Sequence, residues 1–351
     1  MRKIIIAMAV CAGVVANGEI CLAQEAAPQG LKIGGFVNSL YDTNMTRETS
    51  SFSMDQAELD ISRETSASGF LLNLNYLGGQ AATTDEVVEQ GYVWLALGQS
   101  ARLAMGKFNA PIGFESVDPV DMYQISHAMV YSYGLPTNLT GLKFSMTASA
   151  LDLVLYVVNG WDQLVDDNKD KTFGARAGFN ISRSFVLGLS VIAGAEGRDT
   201  IAESLESQAL VKVKTNNLMV IDLDFTATPA EATTIGGEFN FGTFSKQSAV
   251  KQGDDASWLA FMLLLNQKLS SKFALTARYD YFNDNDGARL GGGIKESRHA
   301  ATLCADYLAA EGFRILGEFK YTMSSKKVFT DGSGKPTDAE MSLAAEALYS
   351  F

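Results

Sequence analysis

The chain has 351 residues with 28 basic and 40 acidic side chains, a formal charge of −12, and so acidic a surface disfavours nucleic acid, whose phosphates recruit cationic proteins. Glycine (32) and aromatics (20 Phe, 12 Tyr, 3 Trp) are plentiful, and proline (6) is scarce. Past the N-terminus the longest apolar run, Trp258 to Leu265, is eight residues; a membrane helix needs about 20, so none is expected there, whereas barrel strands of about 9–11 residues are not excluded.

Residues 1–23 read as a secretory signal. Arg2 and Lys3 form the basic end, Ile4 to Val15 the apolar stretch, and Cys21-Leu22-Ala23 a small-residue pattern that places cleavage after Ala23. A lipid on Cys21 is the weaker reading, because Ile20 precedes it where a small residue is expected. Cleavage removes Cys11 and Cys21 and leaves Cys304. An exported chain with one cysteine has no internal disulfide to staple it. A closed, hydrogen-bonded β-barrel needs none. Residues 24–30 read as a short N-terminal linker and residues 31–351 as a transmembrane barrel.

From Leu31 onward the chain alternates with period two, not 3.6. In 273–281 the apolar Phe273, Leu275, Ala277, Tyr279 and Tyr281 oppose Thr276, Arg278 and Asp280. In 313–321, Phe313, Ile315, Phe319 and Tyr321 oppose Arg314, Glu318 and Lys320. The pattern predicts strands near 31–42, 52–64, 68–78, 87–98, 101–108, 139–149, 151–159, 172–181, 184–195, 217–227, 233–243, 256–268, 272–283, 297–308, 312–323 and 340–351. That makes about sixteen, joined alternately by short turns and long loops, as in an all-β, antiparallel, up-and-down outer-membrane barrel. Segment 209–214 (ALVKVK) also alternates. Counting it would make an odd number, so it is placed in the loop 196–216, as an extension beyond the membrane. Loops 284–296 and 324–339, rich in Gly, Asp and Ser, are expected to be solvated and mobile. A soluble β-sandwich would alternate too. The charged and small residues of the polar face, the aromatics near strand ends and the terminal MSLAAEALYSF argue instead for a barrel with a watery lumen.

The longest break in the alternation is 109–138, NAPIGFESVDPVDMYQISHAMVYSYGLPTN. A segment of this length without a regular element generally has a task. Pro111, Pro119 and Pro136 resist strand pairing, and Gly113 and Gly134 permit tight bends. Its acids are Glu115, Asp118 and Asp121, and its aromatics Phe114, Tyr123, Tyr131 and Tyr133 could pack against a wall. So apolar a segment makes a poor exposed surface. The reading is a loop folded into the lumen, narrowing it through Pro111, Gly113, Phe114, Glu115, Asp118, Pro119, Asp121 and His127. The alternation points Lys143, Arg176, Lys268, Arg278, Arg298, Arg314 and Lys320 inward as pore-lining bases. It points Glu58, Asp60, Asp222, Asp224, Glu238, Asp280, Asp306, Glu318 and Glu346 the same way, mostly as ion pairs across neighbouring strands.

No catalytic site is expected. His127 and His299 are far apart, and neither has a second metal ligand nearby in sequence. Cys304 reads as a small lumen-facing residue. Gly332-Ser333-Gly334-Lys335 lacks the earlier glycine of a phosphate loop, and Pro336 stands where Ser or Thr is required. Asn44-Met45-Thr46 and Asn138-Leu139-Thr140 match glycosylation sequons, a pattern short enough to arise by chance. No cofactor or metal is expected.

Gly106-Lys107-Phe108, Pro111-Ile112-Gly113-Phe114-Glu115, Asp118-Pro119, Ser126-His127 and Leu135-Pro136, leading to Gly141, resemble the loop signature of the OmpL-like outer-membrane β-barrel porins of Gram-negative bacteria. The hairpins around Thr228-Pro229 and Leu269-Ser270-Ser271 and the terminal Phe351 are similar to that family as well. Ala110 and Ala128 depart from it where more polar residues are expected, which bears on the charge preference of a pore. The resemblance implies a cell outer-membrane channel for passive diffusion of small hydrophilic solutes. It also implies contact with outer-membrane lipid and a terminal strand, through Tyr349 and Phe351, read by the barrel assembly machinery. A homotrimer is compatible with this size. The rival readings are a structural or adhesive barrel with a plugged lumen and, behind it, a barrel enzyme.

Overall fold

Period-two alternation is stable only where the two faces of a strand meet different surroundings. The computed structural model, which describes residues 30–77, 87–196, 201–203, 210–212 and 216–351, meets this condition with one closed antiparallel barrel. Its strands are β1 (Lys32–Asn44), β2 (Thr49–Glu64), β3 (Ser68–Leu77), β4 (Val88–Ala96), β5 (Ala101–Asn109), β6 (Asn138–Ala148), β7 (Leu151–Val158), β8 (Thr172–Ser182), β9 (Phe185–Glu196), β10 (Ile201–Glu203), β11 (Leu210–Lys212), β12 (Asn216–Ala230), β13 (Thr233–Phe244), β14 (Ala256–Lys268), β15 (Phe273–Asp284), β16 (Glu296–Ala310), β17 (Phe313–Ser324), β18 (Phe329–Thr330), β19 (Pro336–Thr337) and β20 (Ala339–Ser350).

Sixteen of these, β1–β9, β12–β17 and β20, close the barrel in sequence order. The seam pairs β1 with β20, from Phe36 opposite Ser350 to Asn44 opposite Ser342. At its end the Phe351 N–H donates to the Gly35 carbonyl (3.0 Å) and the Gly35 N–H to the Phe351 carbonyl (3.2 Å). Closure removes the unpaired edges that an open sheet would present. No described helix is long and apolar enough to cross a membrane. All sixteen expected strands are present. Segment 209–214 stays outside the barrel, within the loop 196–216 as expected, but it extends no barrel strand: its Leu210–Lys212 pairs antiparallel with Ile201–Glu203 in a separate two-stranded sheet. The expected signal, 1–23, and all of the linker but Gly30 lie outside the described residues.

The outward face is apolar. Leu275, Ala277 and Tyr279 of β15 are exposed while Thr276, Arg278 and Asp280 between them are buried. Met341, Leu343, Ala345, Ala347 and Tyr349 of β20 point outward in the same way. With Val93, Met105, Leu263 and Leu303 also exposed, this surface suits lipid rather than water. Phe261, Tyr279, Tyr281 and His299 pack side by side on it with their rings tilted, and the Tyr279 hydroxyl lies 2.6 Å from His299 Nδ1. Such amphipathic rings favour a membrane–water boundary.

The inward face is not the uniformly polar lumen expected from the alternation. Phe108, Leu139, Tyr156, Val158, Ile192, Leu218, Val220, Trp258, Ala260, Met262, Leu264 and Phe282 are buried in one apolar cluster inside the barrel. The physical reason lies in β14, which is apolar on both faces. Phe261, Leu263 and Leu265 face out, and Trp258, Ala260, Met262 and Leu264 face in. A strand of this kind needs apolar material on both sides, and the inner side receives it from the segment between β5 and β6. The loop 284–296 is less solvated than expected: Leu290 is buried, and Asp284 accepts the N–H groups of Ala288 (2.9 Å), Arg289 (2.8 Å) and Leu290 (2.8 Å).

Candidate functional site

The segment between β5 and β6 joins neighbouring strands, yet its hydrogen bonds go to strands far round the barrel. It is not wholly irregular. Pro119–Asp121 forms a 3-10 turn, with proline at its first position where no N–H is needed. Val130–Gly134 forms a single π-helical turn, an uncommon element often found at functional sites. Gly113 has φ of 86°, in the left-handed region that favours glycine.

Glu115 is the hub of the segment. Its Oε1 accepts from Gln124 Nε2 (2.6 Å) and from the Arg278 guanidinium of β15 (2.9 Å), and its Oε2 accepts from the Ala128 N–H (2.7 Å). His127 Nδ1 lies 3.4 Å from the same oxygen, and the imidazole stacks on Tyr131 with centroids 4.0 Å apart. Burial pushes the Glu115 carboxyl up, but Arg278, His127 and the Ala128 N–H prevail and hold it below the usual carboxylate range. Arg278 also donates to the carbonyls of Ser126 and of His127 (3.0 Å) and to Asp280 (3.0 Å).

Further inward side chains hold the backbone of the segment. Glu238 of β13 accepts the Phe114 N–H (2.8 Å). Glu318 of β17 accepts the N–H groups of Ile125 (2.9 Å) and Ser126 (3.0 Å). Arg314 of β17 donates to the carbonyls of Val120 and Met122 (3.0 Å each) and pairs with Asp306 of β16 (2.8 Å). Lys320 reaches the His127 carbonyl (3.4 Å), and Arg289, from the loop after β15, donates to the Tyr133 carbonyl (2.6 Å). These bonds satisfy main-chain groups that a buried irregular segment would otherwise leave orphaned.

The expected residues therefore have distinct roles. Phe114 and Glu115 are docking points. Pro111 and Gly113 shape the entry to the segment, and Pro119 opens the 3-10 turn. Asp118 precedes that turn, beside Glu58 and Glu89, and Asp121 is exposed. Six of the seven bases expected to line a pore point inward, but they are not equivalent. Arg278 is sealed beneath the segment and lines no open passage. Lys143 places its amine over the rings of Tyr92 (4.8 Å) and Phe108 (4.5 Å). Arg176 pairs with Asp224 (2.8 Å), reaching past β9 to β12, and Arg298 pairs with Glu296 of its own strand. Of the expected cross-strand pairs, only Arg314–Asp306 joins adjacent strands among these. Lys268 is exposed at the end of β14. Cys304 is buried and faces inward as expected. At the C-terminal end, Tyr349 and Phe351 are outward and exposed. The gripping role of Glu238 and Glu318 was not legible, because alternation gives a direction but no depth. Glu89 was missed altogether.

One wall position is left small for the segment. The Phe114 ring lies over Gly236 of β13, and a Cβ there would overlap it. We expect Gly236→Val to displace Phe114 at a cost of about 1–3 kcal/mol, the usual range for overpacking. Chymotrypsin cleavage after Phe114 in the folded barrel measures this. An unchanged cleavage rate would mean that the ring is not held there.

The comparisons with known proteins agree with this geometry. OmpT of Vibrio cholerae, as expressed in the outer membrane, aligns with a TM-score of 0.64 at 12% identity, covering 93% of this chain and 99% of its own. An in-vitro folded OmpT is described as a trimer form. The anion-selective porin from Comamonas acidovorans aligns at 0.65 and 10% identity, covering 92% and 99%. The outer-membrane channel DcaP of Acinetobacter baumannii aligns at 0.64 and 9%, covering 92% and 97%. At these identities the likeness concerns the fold. No curated protein sequence matches the chain. The family described as "Putative beta-barrel porin-2, OmpL-like" matches residues 30–351, and the chain belongs to that family.

Proposed function

We propose that this protein is an outer-membrane porin through which small hydrophilic solutes diffuse passively, and that the segment between β5 and β6 folds into the lumen as its constriction. The observation that carries the reading is the set of bonds from inward side chains of β13, β15 and β17 to that segment. They draw it away from its own strands and onto the inner wall. Polar groups of the wall and the segment keep contact with water: the side chains of Arg176, Asp306, Arg314 and His127 are 21%, 22%, 19% and 30% exposed. In this reading His127 and His299 are structural, no cofactor takes part, and the outer face meets lipid. Assembly through the terminal strand and a trimeric state are parts of the same proposal, and the trimer form of OmpT supports the second.

A plugged barrel is the second reading, favoured by the apolar cluster inside the barrel. Single-channel recording in a planar bilayer separates the two, comparing the folded protein with a deletion of residues 116–133. We expect discrete open steps that grow on deletion. A silent wild type with a conducting deletion would identify a plug. Silence in both, from protein shown to be folded by its heat-modifiable migration, would overturn the channel.

A further inference from the structure

A second cluster lies on another part of the wall. Glu58 of β2, Glu89 of β4 and Asp118 bring one carboxylate oxygen each to within 4.8 Å of one another. Glu58 is only 5% exposed. Its Oε1 accepts from Asn73 Nδ2 (3.0 Å), while its buried Oε2 has no hydrogen-bond partner among the described residues. The buried Asp118 Oδ1 and Asn75 Oδ1 are orphaned in the same way. Asn75 is fixed beside the cluster, because its Nδ2 donates to Glu89 Oε2 (2.8 Å), and Asn109 Nδ2 holds the other oxygen of Glu89 (2.9 Å).

Orphaned buried acceptors are costly, and three carboxylates this close repel one another. Either protons or a cation must relieve such a site. The geometry favours a cation. Two oxygens on opposite sides of Ca²⁺, each about 2.4 Å from it, lie about 4.8 Å apart, so carboxylate oxygens this close are spaced to share one ion. The donors are all hard oxygens, with an amide oxygen beside the carboxylates, which suits Ca²⁺ better than a softer metal. Mg²⁺ demands a tighter octahedron and holds its waters.

We propose that Glu58, Glu89 and Asp118 form a calcium-class divalent cation site that fastens the segment between β5 and β6 to β2 and β4. The site lies away from the bonds to β13, β15 and β17, so the ion joins the segment to a second part of the wall. The inference does not rest on conduction.

The test is calorimetric titration of the full-length folded protein in zwitterionic detergent with CaCl₂, after chelator treatment and exchange into chelator-free buffer. The expected result is one saturable site per chain. Binding becomes at least tenfold weaker in both Glu58→Gln and Asp118→Asn and is unchanged in Glu346→Gln, an inward acid whose partner is Asn38 (2.9 Å). Asp118 lies outside every strand, so Asp118→Asn carries the test alone if Glu58→Gln does not refold. Absence of saturable uptake by folded wild type, uptake that survives either substitution, or equal loss in Glu346→Gln would overturn the site.

Discussion

Replacing Arg278 with Met is expected to release the segment between β5 and β6 while leaving the barrel closed. The Arg278 side chain has no exposure and pairs with Glu115 and Asp280, which are 2% and 0% exposed. Removing the cation strands two buried carboxylates and takes donors from the carbonyls of Ser126 and His127. Breaking a buried ion pair from one side costs about 3–5 kcal/mol. None of that falls on the ladders of β14–β16, which are main-chain bonds. The loss should therefore appear as opening of the segment. At about 1.4 kcal/mol per tenfold, chymotrypsin cleavage after Tyr123, Tyr131 or Tyr133 should rise by about a hundredfold or more. Heat-modifiable migration of the variant should stay that of a folded barrel. Arg278→Lys should fall between the two, because one ammonium cannot reproduce the guanidinium fork that serves two acids and two carbonyls. Cleavage at the wild-type rate in Arg278→Met would mean that the segment is held elsewhere, with Glu238 and Glu318 the next places to look.

The barrel was legible because alternation is a local signal. Each strand places residues i and i+2 in the same surroundings, so 273–281 and 313–321 declare their two faces without reference to any other part of the chain. The odd segment 209–214 shows the limit of this signal. It alternates as well as its neighbours do, and only its pairing with Ile201–Glu203 tells that it stands apart. Pairing is a long-range property that one strand does not encode.

The candidate site was legible in outline and not in mechanism. The length of 109–138, its prolines and its apolar content marked it as a buried segment with a task. What holds it is set by contacts separated by more than a hundred positions, such as Phe114 with Glu238 and Ile125 with Glu318. The same holds for the acids beside Asp118. Glu58 and Glu89 belong to different strands, and nothing in either sequence shows that their carboxylates meet. One signal of the interior core is present in the sequence: the run Trp258–Leu265, too short for a membrane helix, is apolar throughout. A strand apolar at every position also means apolar surroundings on both faces, and here that points to packing inside the barrel.

That packing leads to the second large effect. Trp258→Ala is expected to lower the stability of the folded barrel by about 3–5 kcal/mol, the range for truncating a large side chain in a close-packed core. Trp258 is fully buried, its Nε1–H donates to Asn240 Oδ1 (2.9 Å), and its ring fills the space that Gly242 leaves open. The Arg289 guanidinium lies 4.9 Å from it and 4.8 Å from Trp161. Truncation would leave a void, an unpaired amide oxygen and a cation that has lost one of its two rings. The outward Phe261, Leu263 and Leu265 of the same strand are untouched, so solvation by lipid or detergent does not change. Guanidinium unfolding in detergent, followed by far-UV circular dichroism, gives the difference. A loss below about 1 kcal/mol would place water against Trp258, because a side chain lining a wet lumen leaves no dry cavity when it is shortened. The expected larger loss would mean that this part of the interior is a protein core shared by wall and segment. A diffusion path would then have to run beside Arg176, Asp306, Arg314 and His127, the polar side chains that keep their water.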